Sequence, residues 1–187
     1  MEVIDAIRRR RANRVFDSRP VEKEKMDALI EAMTLAPSCG NNQPWRALFC
    51  TGEALAKVKE CLDKGNVWAT TAPLIIVIAA KPSDDCRQNE GRDYYQFSTG
   101  LAVGEMLLRA IELGLTIHPI AGFNPVKARE ALGIPKDYVV ITFVMCGYLG
   151  TDESLLSDKQ KLEQRQRPER KPTGENFFRD SWGQPYR

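Results

Sequence analysis

Five stretches of the chain place apolar residues three or four positions apart, which is the spacing of one face of an amphipathic helix. The most regular of them, residues 26–33, repeats apolar side chains at i, i+3, i+4 and i+7 and is followed by Pro37. Near the last stretch, Asn124 and Pro125 suit a helix start as N-cap and first helical residue. Helices are therefore predicted over residues 2–10, 22–35, 55–65, 93–114 and 124–133.

Other stretches are apolar without helical spacing and are typical of strands. Residues 74–80 read Leu-Ile-Ile-Val-Ile-Ala-Ala, as expected of a central strand covered on both faces. Further strands are predicted over residues 45–51, 115–120 and 139–147. Since helices and strands interleave without a strict repeat, we expect an α+β fold, a three-layer α/β/α sandwich whose core is residues 1–150.

Composition indicates a globular protein with one hydrophobic core. The chain has 187 residues, of which 43% are hydrophobic and 28% charged, and this length suffices for one sizeable domain. The net charge of +2 is too small for a surface that binds nucleic acid as a whole. No apolar run approaches the ~20 residues of a membrane span, and the charged N-terminus lacks the apolar region of a signal peptide. We expect neither a nucleic-acid nor a membrane partner.

The cysteines and the histidine favour a cytoplasmic protein without a metal site. The five cysteines are odd in number, scattered and without a Cys-x-x-Cys pair, which argues against a disulfide framework or a zinc site and fits a reducing compartment. Because His118 is the single histidine, histidine-based metal sites and a Ser-His-Asp triad are poorly supported. For His118 we expect a core position or a hydrogen bond to the backbone.

Positive charge is concentrated early in the chain, where five of the seven residues at positions 8–14 are arginines. A planar guanidinium donates two parallel hydrogen bonds and so suits phosphate and carboxylate groups. One hypothesis is a pocket for a phosphorylated cofactor. A solvated cationic face and a nucleic-acid or localisation patch compete with it, and the run alone does not favour the pocket over them.

A second candidate stretch, residues 37–45, reads Pro-Ser-Cys-Gly-Asn-Asn-Gln-Pro-Trp. Two prolines bracket small and amide residues, which predicts a shaped turn. Its amides and hydroxyl suit the edge of a heteroaromatic ring, and its proline and tryptophan suit the flat faces. The alternative is a turn whose side chains bind only its own backbone.

These two stretches together carry a resemblance to a known family. Residues 10–16 read Arg-Arg-Ala-Asn-Arg-Val-Phe, and Ala-Pro-Ser at 36–38 and Asn-Asn-Gln-Pro-Trp at 41–45 follow. In this order the motifs resemble the nitroreductase family of FMN-dependent oxidoreductases. The resemblance implies a sandwich with a central mixed sheet, bound FMN, NADH or NADPH as co-substrate, and a two-fold homodimer in which both subunits build each active site.

The resemblance also implies roles for the arginines. Arg10 and Arg11, with the backbone of Ala12, would hold the phosphate and ribityl chain of FMN. Arg14 would lie near the N1/C2=O edge of the flavin ring. Ala12 stands where the family usually has serine, which removes one hydroxyl donor worth only about 0.5–1.5 kcal/mol. FMN binding should therefore survive this departure.

Further implied contacts surround the ring. The turn of the other subunit would cover it, with direct contacts from Pro37, Ser38 and Cys39 and a shaping role for Asn41 and Gln43. The other implied contacts are Asn66 at the ring edge, Pro119 and Ile120 against the ring, the backbone N–H of Ala121 or Gly122 near N5, and Arg170, with Arg167 or Lys171 as rivals, at the phosphate.

Two of these positions leave alternatives open. Cys39 could act as a nucleophile beside the flavin, but without an adjacent base a small ring-contacting residue is the better interpretation. Ala121 occupies a position that is often acidic in the family, so it could alter the choice of nicotinamide or substrate.

The composition changes after residue 150. Of the 37 residues from 151 to 187, 15 are charged and seven apolar, so this segment cannot build a core of its own. A disordered tail is one interpretation. Because the segment carries four large aromatic residues, we favour an arm of the same domain that wraps the partner subunit.

The resemblance implies a ping-pong reaction. Hydride would pass from NADH or NADPH through flavin N5 to a small electrophilic acceptor such as a nitroaromatic, quinone or enone. Since the flavin carries the chemistry, no side-chain acid or base is required. The alternative is a non-catalytic module that binds, stores or senses FMN.

Overall fold

The computed structural model describes residues 1–86 and 89–186. The charged loop predicted at residues 81–92 therefore includes two positions, Arg87 and Gln88, that lie outside the described residues. The chain divides into two compact units, residues 1–156 and 157–187.

Helices of the first unit form where the apolar spacing predicts them. Asn124 caps the last of them, since its side-chain oxygen accepts the backbone N–H groups of Val126 and Lys127 at 3.1 and 3.0 Å. The same helix stops at Gly133, which has a φ of 65°. The helices are α1 (Val3–Arg9), α2 (Lys23–Leu35), α3 (Gly52–Lys59), α4 (Tyr94–Glu112) and α5 (Pro125–Leu132).

The third helix ends earlier than its apolar spacing predicts. After Lys59 the backbone turns to meet the segment before α5: the carbonyl of Cys61 accepts the N–H of Asn124 at 2.8 Å, and Leu62 forms a β-bridge with Phe123. A 3₁₀ segment, Lys64–Thr71, then leads to the central strand. Long-range pairing thus overrides the helical pattern here.

Within the residues that the structure describes, four strands form one sheet: β1 (Trp45–Cys50), β2 (Leu74–Ala80), β3 (Thr116–Ile120) and β4 (Val139–Gly147). Their order is β1-β2-β4-β3, and each neighbouring pair is antiparallel. The expectation of a mixed sheet therefore does not hold for the described strands. The sheet belongs to an α+β fold, as predicted.

Helices cover both faces of this sheet, which confirms the three-layer sandwich. Every residue of β2 is buried; Ile75 and Val77 point into one core, and Ile76 and Ile78 into the other. One core also contains Val58 of α3 and Ala128 of α5, and the other contains residues of α2 and α4. Because both faces are apolar, the strand lacks polar alternation although its neighbours are antiparallel. Each buried Ile or Val contributes about 1.5–3 kcal/mol.

The second unit contains two short helices, α6 (Asp158–Arg165) and α7 (Thr173–Asn176). A capping box between Ser157 and Gln160 starts α6. Phe178 pairs with Pro185 in a β-bridge and contacts Trp182, with ring centroids 5.1 Å apart. Trp182 is 92% exposed. The arm and its exchange between subunits stay predictions.

In the described part of the chain, no helix combines the length and the apolar character needed to cross a bilayer.

Candidate functional site

The arginine-rich stretch divides into two environments. Helix α1 ends at Arg9, and Arg8 and Arg9 are exposed on its last turn. The chain then becomes extended, and Arg10, Arg11 and Arg14 are half-buried, while Ala12 between them is exposed. A wholly solvated cationic face is therefore not what the structure shows. Three arginine residues within a stretch of five are thus partly withdrawn from water.

An anchor at residue 13 fixes this segment to the edge strand β3. The Asn13 amide donates to the Thr116 hydroxyl at 2.8 Å, and Nδ1 of His118 lies 2.9 Å from the Asn13 carbonyl oxygen. Because a carbonyl only accepts, the Nδ1 nitrogen must carry the proton. The expected backbone bond of His118 is thus confirmed, and Asn13 is a positioning residue that sequence reasoning did not single out.

His118 is held in its neutral form. Burial lowers the pKa of His118 to about 4; the bond to Asn13 acts in the opposite direction, and the charges of Arg14 and Arg10 lower the pKa further. Because their charges act on its pKa, both arginines lie near enough to the imidazole ring to interact with it electrostatically. At neutral pH the imidazole therefore adds no charge and serves to position the segment.

Trp68 packs against His118, the residue that contacts the Asn13 carbonyl. Its ring stacks on His118 at 4.8 Å and on Phe16 at 6.3 Å between centroids, and the Arg14 guanidinium lies 5.9 Å from the centroid of the indole. Trp68 is 2% exposed, and its Nε1 has no hydrogen-bond partner among the described residues. No sequence pattern marked this residue, since it lies in a 3₁₀ segment without periodicity.

The other end of β3 brings Asn66 and the segment 119–122 together. The Asn66 amide donates to the carbonyl of Gly122 at 2.9 Å. A Cβ atom at Gly122 would lie 2.3 Å from that amide nitrogen, so only glycine allows this close approach. Ile120 is buried, Pro119 is half-buried and Ala121 is exposed. Asn66 therefore lies beside residues 119–122, which the resemblance also assigns to the flavin ring.

Replacing Gly122 by alanine should lower the free energy of unfolding by about 1 kcal/mol, because the new methyl group displaces the Asn66 amide and breaks one hydrogen bond. Urea denaturation of Gly122→Ala would measure this. In an Asn66→Ala background, Gly122→Ala should lower the free energy of unfolding by a smaller amount. Equal losses in both backgrounds would show that the two residues are not coupled.

The turn at residues 37–43 is shaped by its own side chains. Ser38 Oγ accepts the backbone N–H of Gln43 at 2.9 Å, and the Gln43 amide donates to Asn41 Oδ1 at 3.0 Å. Three of its residues have left-handed backbone angles, with φ of 54° at Gly40, 58° at Asn41 and 47° at Gln43. The turn is therefore defined by local bonds, and Pro37 lies exposed at its start.

The argument from the sequence against a disulfide framework did not foresee one pair of cysteines. Cys39 of this turn and Cys86 form a disulfide with their Cα atoms 6.1 Å apart. A carboxylate oxygen of Asp85 lies within 4.8 Å of both sulfur atoms. The 47-residue separation hides the pair from any spacing rule, because the fold rather than the local sequence brings its members together.

The structure does not bring all the candidate residues into one place within one chain. The arginine segment is attached to β3 and the turn precedes β1, and these are the two opposite edges of the sheet. With strands about 4.8 Å apart, the two edges are about 14 Å apart. Arg170 is exposed and belongs to the second unit, as do Arg167 and Lys171.

Comparison with known proteins identifies relatives over most of the chain. The model of the nitroreductase family matches residues 7–66 and 56–148. A protein of Archaeoglobus fulgidus, provisionally described as an NADH dehydrogenase/NAD(P)H nitroreductase, is 32% identical over 154 residues, which cover 79% of this chain and 85% of the relative. An NADH dehydrogenase of Thermus thermophilus is 25% identical over 83% of this chain and 90% of its own.

Solved structures share the fold. A nitroreductase family protein from Clostridium difficile 630 is 25% identical, with a TM-score of 0.79 over 97% of this chain and 99% of its own. An oxidoreductase described as containing FMN is 26% identical, with a TM-score of 0.82 over 94% of this chain and 90% of its own.

Proposed function

The chain belongs to the nitroreductase family, and on that premise we propose that it is an FMN-dependent oxidoreductase. It would take hydride from NADH or NADPH and deliver it to a small electrophilic acceptor such as a nitroaromatic, quinone or enone in a ping-pong cycle. The observation that carries the proposal is the half-buried set Arg10, Arg11 and Arg14, fixed to β3 through Asn13. Bound FMN would supply the hydride-accepting N5 atom.

The donor set fits a phosphorylated flavin. Arg10 and Arg11, together with the backbone N–H of Ala12, would hold the phosphate and ribityl chain through charge-assisted hydrogen bonds. Arg14 would lie near the N1/C2=O edge, where its fixed positive charge opposes the negative charge that reduction places on the ring. Partial burial strengthens both effects, since the local dielectric constant is lower than that of water. Arg170 is the proposed additional phosphate ligand, with Arg167 and Lys171 as rivals.

The far end of β3 suits the flat part of the cofactor. Pro119 and Ile120 offer an apolar surface for the ring, and the backbone N–H of Ala121 or Gly122 would donate toward N5. Asn66 would contact the ring edge; its bond to the Gly122 carbonyl already holds that amide in place. The missing side chain at Gly122 leaves room for this arrangement.

A homodimer would complete the site. Pro37, Ser38, Cys39, Asn41 and Gln43 would reach the ring from the partner subunit, which accords with their attachment to the opposite edge of the sheet.

The surface of the first unit offers an interface for this dimer. Leu35 and Phe97 are 74% and 56% exposed, and a Cβ atom at Gly100 or Gly104 of α4 would meet nothing within 4 Å. Apolar side chains and an unpacked small-residue face are what a second copy would cover. The exposed Trp182 of the second unit suits an arm on that copy.

The purified protein tests the proposal directly. Incubation with FMN should give a bound flavin absorption band, and anaerobic addition of NADH or NADPH should bleach it. A preparation that takes up no flavin would contradict the proposal, and a bound flavin that neither nucleotide reduces would point to the storage or sensor alternative. Adding acceptors to the reduced protein and following the return of the band would then identify the acceptor class.

Replacing Arg11 by alanine should raise the Kd for FMN about tenfold or more, because a hydrogen bond to a charged phosphate is worth about 1.5–3 kcal/mol. Quenching of flavin fluorescence measures this Kd. The Kd for riboflavin, which lacks the phosphate, should differ little between this variant and the wild-type protein.

The matched control for this variant is Arg9→Ala, which removes the same charge two residues away from an exposed position on α1. It should leave the Kd for FMN near the wild-type value. Equal losses in the two variants would show that only the general positive charge attracts FMN, and that Arg11 does not bind it.

A further inference from the structure

The five cysteines fall into two chemical classes. Cys50, Cys61 and Cys146 are buried free thiols, and burial raises the pKa of Cys50 to about 11, that of Cys146 to about 12 and that of Cys61 above its usual value. Thiolate chemistry is therefore suppressed at these three positions. Cys39 and Cys86 differ: both are half-buried and joined to each other, so they are less enclosed than the three free thiols.

Strand pairing explains why these two residues meet. In the β1–β2 ladder the last pair is Trp45 opposite Ala80. Cys39 precedes Trp45 by six residues and Cys86 follows Ala80 by six, so the ladder brings the two segments that carry them to the same end of the β1–β2 pair. The separation of 6.1 Å between their Cα atoms lies within the normal range for a disulfide. The two thiols would therefore stay near each other after reduction, because the ladder does not depend on their bond.

Asp85 supplies a polar group beside the sulfur atoms. Its Oδ1 accepts the backbone N–H of Cys86 at 2.8 Å and lies 3.4 Å from the amide nitrogen of Asn42. Its Oδ2 is buried and has no hydrogen-bond partner in the described part of the chain. A thiol S–H formed on reduction could donate to this carboxylate, whereas a disulfide cannot.

The disulfide also ends on the turn that the resemblance assigns to the flavin. Asn41 and Gln43 have positive φ angles; asparagine adopts such angles readily, whereas glutamine holds one mainly where its surroundings impose it. The covalent bond at Cys39 is one such constraint, and the contact of Asn42 with Asp85 is another. Breaking the bond would remove one of these constraints, while the hydrogen bonds of Gln43 to Ser38 and Asn41 would remain.

We propose that Cys39 and Cys86 form a reversible thiol–disulfide site whose redox state sets the conformation of the turn at residues 38–43 and, through it, the affinity for FMN. The last part rests on the proposed function. The reductant is a thiol: its thiolate attacks one sulfur, the Cys39–Cys86 bond breaks and a mixed disulfide forms. A second thiol then releases the protein dithiol and leaves a disulfide of the reductant, with two electrons and two protons transferred.

Counting accessible thiols tests the site without flavin. The protein is equilibrated in mixtures of reduced and oxidised dithiothreitol and quenched with acid. It is then denatured in the presence of a maleimide, which labels every free thiol, and the number of labels is read from the mass. We expect three labels in the oxidised protein and five in the reduced one, with full return to three on reoxidation. Five labels under oxidising conditions, or a pair that does not reoxidise, would overturn the proposal.

A buried cysteine provides the matched control. Cys61→Ser keeps a donor for the Lys57 carbonyl that the thiol contacts at 3.4 Å, and it should still change by two labels between the states. Cys39→Ser should give four labels under both conditions. A redox-dependent label count in Cys39→Ser would overturn the assignment of the pair.

Two measurements, hydrogen exchange and the Kd for FMN, then report on the conformation of the turn. Hydrogen exchange of peptides that contain residues 38–45 should be faster in the reduced protein, and peptides from α5 should change less. The Kd for FMN should rise about tenfold on reduction, as when the binding-competent conformer falls to one tenth, and it should not respond to reductant in a Cys39→Ser/Cys86→Ser variant. Unchanged exchange or an unchanged Kd would overturn the proposal. FMN binding in neither state would refute the proposed function, while the label count and the exchange would still decide on the redox site.

Discussion

Reducing the Cys39–Cys86 disulfide should lower the free energy of unfolding by about 4 kcal/mol. The bond closes a loop with a sequence separation of 47, and the chain-entropy model gives about this value for a loop of that length, because the cross-link restricts the unfolded chain. Guanidinium denaturation with and without dithiothreitol measures the difference. The loop contains β1 and β2, so the transition should remain cooperative in both states.

The double variant Cys39→Ser/Cys86→Ser is the control for this comparison. Its unfolding midpoint should match that of the reduced wild-type protein and should not respond to dithiothreitol. Identical midpoints of oxidised and reduced wild type would show that the unfolded chain gains no freedom when the bond is broken. A response of the double variant to the reductant would assign the effect to another site.

Lowering the pH from 7 to 4 should remove about 3 kcal/mol of stability through His118 alone, since each pKa unit corresponds to about 1.36 kcal/mol. Burial lowers the pKa of this residue to about 4 in the folded chain, against 6.5 for the free side chain. The unfolded chain therefore takes up the proton first. The contribution is complete above about pH 6.5, falls as the pH is lowered toward 4, and levels off below that value.

The variant His118→Asn separates this effect from the titration of carboxylates. An asparagine amide can donate to the Asn13 carbonyl, but it does not titrate. Urea denaturation at a series of pH values should show a smaller loss of stability in the variant than in wild type, with the two curves diverging below pH 6.5. Parallel curves would mean that His118 does not remain neutral in the folded protein.

Those parts of the fold that depend on local pattern were predictable. The buried run of β2 and the start and stop of α5 at Asn124 and Gly133 follow from apolar content, an amide cap and a glycine. The half-burial of Arg10, Arg11 and Arg14 accords with the interpretation of their run as a binding segment. In each case the signal lies within a few neighbouring residues.

Features that depend on long-range pairing were not predictable in the same way. The antiparallel order of the sheet cannot be read from β2, because burial on both faces produces the same sequence as a parallel strand. The anchor of Asn13 on Thr116 and His118 joins residues more than one hundred positions apart. The Cys39–Cys86 pair becomes visible only when Trp45 is known to lie opposite Ala80.

The attachment of the arginine segment and the 38–43 turn to opposite edges of one sheet has a thermodynamic consequence. In the proposed dimer each chain carries half of two different binding sites, so the association of subunits and the occupancy by FMN are linked equilibria. Whatever factor dimer formation adds to the affinity for FMN, FMN must add to the affinity between subunits. Dilution would then release the cofactor, and the cofactor concentration would govern how far the protein can be diluted before its subunits separate.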